Sequence, residues 1–217
     1  MKKIVSVLSW ILLAPLYHLM VKEVKGKENI PKGNFILASN HSSHLDWFIN
    51  GYFCTPRRFT FIGQVDKMTG AAAFWRDRLY DYSEVIPMNR KDPESRKQAL
   101  IEAAERLRQG SILIIYPEGT RTRDGKLHEF KPGVARLHFE TGVPILPVAL
   151  KGTYELMPPG GKLKIKKSVT VIVGKPLDLE KERNAAAKLD KSSDEYRGLC
   201  LDVAKLAENS MQQLLNN

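Results

Sequence analysis

The sequence predicts an α/β fold: a single layered domain with a mixed β-sheet flanked by helices, preceded by an apolar N-terminal helix. Three observations carry this. Short apolar runs of strand length alternate with segments of helical periodicity from residue 34 to residue 173. Proline, glycine and capping residues stand at the joints between them. Residues 4–21 contain no Asp, Glu, Lys or Arg. The expected division is residues 1–25 as a membrane-associating apolar helix and residues 26–217 as one folded domain, a length that supplies a sizeable core without requiring two.

The leader has a helical length of about 27 Å against a hydrocarbon core of about 30 Å. Pro15 would kink it. Lys2 and Lys3 ahead of the apolar run have the form of a signal peptide, but no small-x-small cleavage site follows. Lysines stand at both ends (Lys2, Lys3; Lys22, Lys25, Lys27), so charge does not set an orientation. The expectation is a membrane-attached helix, dipping into one leaflet or barely spanning. Plain packing against the domain is the alternative.

Residues 26–33 form a polar connection with a turn at Pro31-Lys32-Gly33. Strand 34–39, helix 45–52, strand 59–63, helix 68–79 and strand 85–88 follow in alternation. The next helix is the best marked: Asp92 caps it, Pro93 sits in its first turn, and Gly110 stops it. Its apolar positions Ala99, Leu100, Ala103, Ala104 and Leu107 share one face. Then come strand 111–116, a polar loop, helix 134–141 ended by Gly142, strand 143–150, strand 169–173 and a closing amphipathic helix over 194–215. In such a fold, sites gather at the carboxyl ends of strands.

Net charge is +10, and the isoelectric point lies near 9.6. An anionic partner is implied. No predicted helix concentrates Lys and Arg as a groove-reading element would, and no RNA-binding aromatic motif occurs. Nucleic acid is therefore set aside in favour of a membrane with anionic headgroups. Cys54 and Cys200 are too few and too far apart for a disulfide framework or a zinc site, and Cys54 reads as a small buried apolar residue.

Two clusters carry chemistry, each just past a predicted strand. In Asn40-His41-Ser42-Ser43-His44-Leu45-Asp46, a helical turn would bring the Asp46 carboxylate back to one imidazole nitrogen of His41. The other nitrogen would then take a proton from a substrate hydroxyl. Imidazole titrates at about 6.5, near working pH. A turn-capping histidine followed by a helix-capping aspartate is the alternative. The second cluster is Pro117-Glu118-Gly119-Thr120-Arg121-Thr122-Arg123. Its proline ends a strand, its glycine permits close backbone approach, and its arginines offer planar forks for phosphate oxygens. A solvated surface loop is the alternative there.

These clusters resemble the signature blocks of the glycerolipid acyltransferase family typified by lysophosphatidic acid acyltransferases. That family carries an Asn-His-four-residues-Asp block and a Phe-Pro-Glu-Gly-Thr-Arg block, with Tyr116 here in place of the phenylalanine. Val85-Ile86-Pro87-Met88-Asn89-Arg90 resembles its second block, and Val143-Pro144-Ile145-Leu146-Pro147-Val148 its fourth. Lys67 stands where the family often carries a lysine. The likeness runs from about Asn34 to Val173.

The resemblance implies a membrane-associated O-acyltransferase with its active site facing the cytoplasm. His41 and Asp46 would be the general-base pair. Lys67, Arg90, Glu118, Gly119, Thr120 and Arg121 would bind the acceptor's phosphate side, with Glu118 bracing Arg121 or Arg90 instead of touching ligand. It implies no bound cofactor and no metal. The donor, an acyl-CoA or an acyl-carrier-protein thioester, is a co-substrate, and acyl carrier protein is therefore a possible partner. The expected acceptor is 1-acylglycerol 3-phosphate, giving phosphatidic acid. Glycerol 3-phosphate, other lysolipids and amino-acid lipids are alternatives.

Two other classes fit the residues less well. His41-Ser42-Ser43-His44-Leu45-Asp46 superficially resembles the His-x-His-x-Asp-His block of binuclear metallohydrolases. Its histidines are one residue too far apart, and Trp47 replaces the last one. A silent lipid-binding protein would have no need of a paired base. His44, three residues after His41, shares a helical face with it or else caps or faces solvent; Lys131 is a further basic candidate, with a solvated turn lysine as the alternative.

Overall fold

Ile36-Leu37-Ala38-Ser39 is buried along its whole length, as a strand covered on both faces must be. In the computed structural model, which describes residues 2–64 and 84–217 (side chains from residue 11), it is one of seven strands. These are β1 (Val21–Lys25), β2 (Ile36–Ser39), β3 (Phe59–Gln64), β4 (Ile86–Met88), β5 (Ile112–Ile115), β6 (Ile145–Lys151) and β7 (Val169–Val173). The described helices are α1 (Lys2–Met20), α2 (Asp46–Cys54), α3 (Pro93–Arg108), α4 (Gly133–Thr141), α5 (Thr153–Leu156), α6 (Glu180–Ala186) and α7 (Asp194–Asn216). The expected helix 68–79 and Lys67 lie outside the described residues.

The sheet is mixed, as expected, in the order β1-β7-β6-β2-β5-β3-β4. Strands β6, β2, β5, β3 and β4 run parallel to one another. Strand β7 is antiparallel to β6, and β1 is parallel to β7. Alternate side chains therefore build two cores. On one face Ile36, Ala38, Leu113, Ile145 and Ala149 pack against α3, α4 and α7. On the other, Leu37, Ile112, Ile114, Leu146 and Val148 pack against Tyr17 and Met20 of α1 and Phe48, Ile49 and Tyr52 of α2. Tyr17 stacks on Tyr52 with ring centroids 4.1 Å apart.

The Asp92 cap acts as the sequence implies, and the structure adds a second at Ser193. The Asp92 carboxylate accepts from the Glu94 N–H at 3.0 Å, with Pro93 next in line. The Ser193 hydroxyl accepts from the Tyr196 N–H at 3.1 Å at the start of α7. Cys54 and Cys200 are free and buried.

The leader needs a correction. The apolar helix stops at Met20, and Val21–Lys25 form an edge strand in register with β7. Val21 continues the apolar run without a break, so periodicity alone could not show the change. Gly26 closes the strand at φ 73°; a Cβ there would lie 2.1 Å from the Val173 carbonyl oxygen, which only glycine avoids. The short helices α5 and α6 were also unforeseen. Of α1, Ile11, Leu12, Leu13, Leu16 and Leu19 are exposed. Among the described residues no helix is long and apolar enough to cross a membrane.

Leu113 is fully buried in the middle of the sheet, paired with both β2 and β3. Leu113→Ala should cost about 2–5 kcal/mol. Asp92→Ala, which removes one cap, should cost only about 0.5–2 kcal/mol. Urea denaturation of the two variants checks the order.

Candidate active site

Strands β6, β2 and β5 are parallel neighbours, so their carboxyl ends share one edge of the sheet. At that edge β2 runs into Asn40-His41, β5 into Tyr116-Pro117-Glu118, and β6 into Gly152. Asn40 is the joint. Its side-chain amide donates to the Leu150 carbonyl at 3.0 Å, and its side-chain oxygen accepts from the Leu150 N–H at 2.8 Å. A side chain thus extends the β2–β6 ladder by one step and sends the backbone of His41 out of the sheet.

His41 is then held from every side. Its Nδ1 lies 2.9 Å from Asp46 Oδ2. That oxygen also accepts from the Ser42 and Ser43 N–H groups, each at 2.8 Å. A carboxylate oxygen already accepting two N–H bonds acts as an acceptor toward the ring as well, which places the imidazole proton on Nδ1 and the lone pair on Nε2. Among the described residues Nε2 has no hydrogen-bond partner. The His41 side chain is 13% exposed and Asp46 is fully enclosed. Below the ring lies Tyr116, stacked at 4.0 Å with an interplanar angle of 17°. That stack fixes the plane of the imidazole. Burial pushes the Tyr116 phenol well above its usual range, so it stays neutral.

The second cluster fixes the first. Glu118 Oε1 accepts from the His41 N–H at 2.7 Å, and Oε2 accepts from the His128 N–H at 3.0 Å. The Thr122 N–H donates to the His41 carbonyl at 2.8 Å. The expected brace between Glu118 and Arg121 or Arg90 is therefore not what forms. The partners of its two carboxylate oxygens are main-chain amides of His41 and His128. Burial pushes the Glu118 carboxyl up to about 7, against the downward pull of those two N–H bonds.

The remaining expected residues fall as follows. Gly119 has φ 74°, and the Lys131 side chain crosses it so closely that a Cβ would meet Nζ at 2.7 Å. Thr120 is exposed. The Arg121 guanidinium lies against the imidazole of His44. Burial, then the charge of Arg121, lowers the His44 pKa, so a neutral ring faces the arginine. Arg90 is in the exposed turn after β4, two strands from β5, and its N–H donates to Gln64 Oε1 at 3.3 Å.

Sequence reasoning missed Asn40, Tyr116 and Thr122 as parts of this arrangement; Lys131, a further basic candidate there, does reach Gly119. Asn40 beside a histidine at a strand end was the one local signal available. A cleft of about 480 Å³ opens beside His41, lined in part by Ser42, Glu118, Thr122, Lys151 and Tyr154. Among the described residues, no three His, Cys, Asp or Glu side chains converge as metal ligands would.

What the arrangement offers is a basic imidazole nitrogen at the mouth of a polar cleft, near a cationic loop. Among the described residues, the serines that adjoin His41 in sequence are engaged elsewhere. The Ser42 hydroxyl lies 3.0 Å from the Thr153 hydroxyl, and the Ser43 hydroxyl donates to the Met157 carbonyl at 2.8 Å.

A family model described as Acyltransferase matches residues 21–151. The chain is similar to the chloroplastic 1-acyl-sn-glycerol-3-phosphate acyltransferase of Brassica napus, 31% identical over 75% of this chain and 46% of the relative. It is 31% identical to the Arabidopsis thaliana chloroplastic enzyme over 83% of this chain and 50% of that one. The Pseudomonas aeruginosa 1-acyl-sn-glycerol-3-phosphate acyltransferase is 28% identical over 80% of this chain and 66% of its own length. The chain spans about half the length of the plant relatives it matches. Among solved structures, the 1-acyl-sn-glycerophosphate acyltransferase PlsC of Thermotoga maritima superposes with a TM-score of 0.70. That match is 28% identical and covers 99% of this chain and 80% of the other.

The carboxyl of Glu118 is easier to protonate in the folded chain than at its ordinary 4.5. Its contribution to stability is thus fully present below that value and is lost as pH rises through about 7. Glu118→Gln should flatten the pH dependence of unfolding between about pH 5 and 8. At low pH it should cost about 1–3 kcal/mol, because an amide NH2 then faces a main-chain donor. Urea denaturation across a pH series reads both effects.

Proposed function

The chain belongs to the acyltransferase family, and from that premise we propose that it is a membrane-associated O-acyltransferase with a His41–Asp46 general base. It moves a fatty acyl group from a thioester, acyl-CoA or acyl carrier protein, to the hydroxyl of a lysophospholipid. The relatives' names point to 1-acylglycerol 3-phosphate as acceptor and phosphatidic acid as product. The observation that carries this reading is the bond from His41 Nδ1 to Asp46, which leaves Nε2 open beside the Arg121 loop.

In the proposed reaction, Nε2 takes the proton of the acceptor hydroxyl as its oxygen attacks the thioester carbonyl. Asp46 stabilises the imidazolium. Collapse of the tetrahedral adduct breaks the carbon–sulfur bond, and the imidazolium returns its proton to the departing thiolate. The acceptor's phosphate would rest on Arg121 and the Gly119–Thr120 amides, with Lys67 and Arg90 contributing as the family resemblance implies. Glu118 serves by holding His41 and the loop together. Membrane association is supported by the exposed apolar residues of α1 and by exposed Trp47 at the start of α2.

His41→Ala and Asp46→Ala should each lower turnover by about 100-fold or more while leaving the protein folded. The assay is thiol release from both donors against a panel of lysolipid acceptors. Near-normal turnover by folded His41→Ala would remove it as the base. Arg121→Ala should raise the acceptor's apparent KM by about tenfold or more, the loss of one charge-assisted bond. A change confined to the donor's KM would instead place the loop at the thioester.

A further inference from the structure

Between α5 and β7 runs the segment Lys162-Leu163-Lys164-Ile165-Lys166-Lys167, exposed at every position. Leu163 and Ile165 are 48% and 51% exposed. Among the described residues none of its four lysines forms an ion pair, although the chain carries 24 acidic residues that could have supplied one. The strip is not loose. The Lys164 N–H donates to the Leu156 carbonyl at 2.8 Å, and the Ser168 N–H donates to the carbonyl of Met20, the last residue of α1, at 3.1 Å.

Topology sets its place. Strand β7 is antiparallel to β6, so its first residues lie beside the carboxyl end of β6, with Thr170 opposite Lys151. Strand β1 starts at the same edge, with Val21 opposite Val169. The C-terminal end of α1, with Leu16 and Leu19 exposed, and the strip both enter the sheet there. This is also the edge at which β2 and β5 deliver His41 and Glu118. Unpaired cations, two protruding apolar side chains and the bare face of a helix therefore meet on the active-site edge.

We infer that the Lys162–Lys167 strip is a docking surface for an anionic lipid bilayer, with Leu163 and Ile165 entering the headgroup region and the lysines reaching headgroup phosphates. This rests on the membrane association proposed above and names the surface that makes it; the transfer reaction assigns the strip no part, and the surface does not depend on which acceptor is used. Lysine stems lie along apolar surface while their ammonium groups stay at the polar boundary, which suits lysines interleaved with Leu and Ile. Each lysine held near an anionic surface strengthens binding by about fivefold, and the effect decays within a Debye length. An acidic carrier protein would satisfy the lysines but would leave both apolar side chains and the adjoining face of α1 in water. The bilayer covers all three.

The test is sedimentation of the purified full chain with phosphatidylcholine vesicles, with and without phosphatidylglycerol, over a salt series. The quadruple variant K162Q/K164Q/K166Q/K167Q should lose about 100-fold or more in partition onto phosphatidylglycerol vesicles, and most of its salt dependence with it. The matching Lys→Arg quadruple variant should retain both. Leu163→Ser with Ile165→Ser should weaken partition at every salt concentration by a similar factor on both vesicle types. Circular dichroism and Tm confirm that each variant is folded; the strip makes no core contact, so they should match the parent. Unchanged partition of the folded quadruple-Gln variant would overturn the inference. So would loss of binding to an acidic carrier protein with vesicle partition intact. Partition is read without turnover, so inactivity toward lysolipids would count against the proposed reaction and not against this surface.

Discussion

Everything at the candidate site depends on the main chain of His41 being fixed at both of its polar groups. The N–H is held by the Glu118 carboxylate and the carbonyl by the Thr122 N–H, so the loop after β5 grips the loop after β2. A residue leaving a strand would otherwise keep its φ and ψ freedom, which costs about 1–2 kcal/mol to freeze. With the backbone set, a single side-chain bond from Nδ1 to Asp46 determines where the ring points. The carboxylate of Glu118 is spent on architecture, which resolves the oddity of an acid beside a presumed phosphate site. Its charge is shared out to two amides inside the protein and is not presented to a ligand.

The sheet's one reversal has a matching consequence. Had β7 run parallel to β6, its first residues would lie at the opposite edge of the sheet. Because β7 turns back against β6 and β1 follows β7, the end of the apolar helix and the basic strip are carried to the edge that holds His41. On the proposed reading, an enzyme acting on a lipid keeps its base near the surface from which the substrate is drawn, and the topology brings the two together.

Much of this was legible in the residues, and the limits have physical causes. The central strands, the Asp92 cap and the His41–Asp46 bond all follow from local patterns: apolar runs, capping chemistry, and an acid one helical turn beyond a histidine. Strand β1 was hidden because Val21 prolongs an apolar helix without interruption, and only pairing with β7, nearly 150 residues away, makes it a strand. Glu118 was misjudged for a related reason. Charge rules favour a carboxylate–guanidinium pair, but the competing partners were backbone amides, one of them on a loop 77 residues away in sequence. The stack of Tyr116 beneath the imidazole is likewise tertiary. A family comparison marks Tyr116 only as a mild departure from phenylalanine, yet its hydroxyl accepts from the Asn50 amide at 3.3 Å and ties α2 to the ring's support.

The same contacts bear on whether transfer passes through an acyl-enzyme. A covalent route needs a hydroxyl or thiol within hydrogen-bond reach of the base. Ser42 and Ser43 adjoin His41 in sequence, but their hydroxyls are turned to Thr153 and to the Met157 carbonyl. Both are buried, and freeing either would leave a partner unsatisfied. Cys54 and Cys200 are buried as well, and burial raises both thiols well above neutrality, so neither is poised as thiolate. Among the described residues, Nε2 is thus left with no serine or cysteine proton to take. On the proposed reading its proton comes from the acceptor itself, and direct attack of the lipid hydroxyl on the thioester is the route these contacts favour.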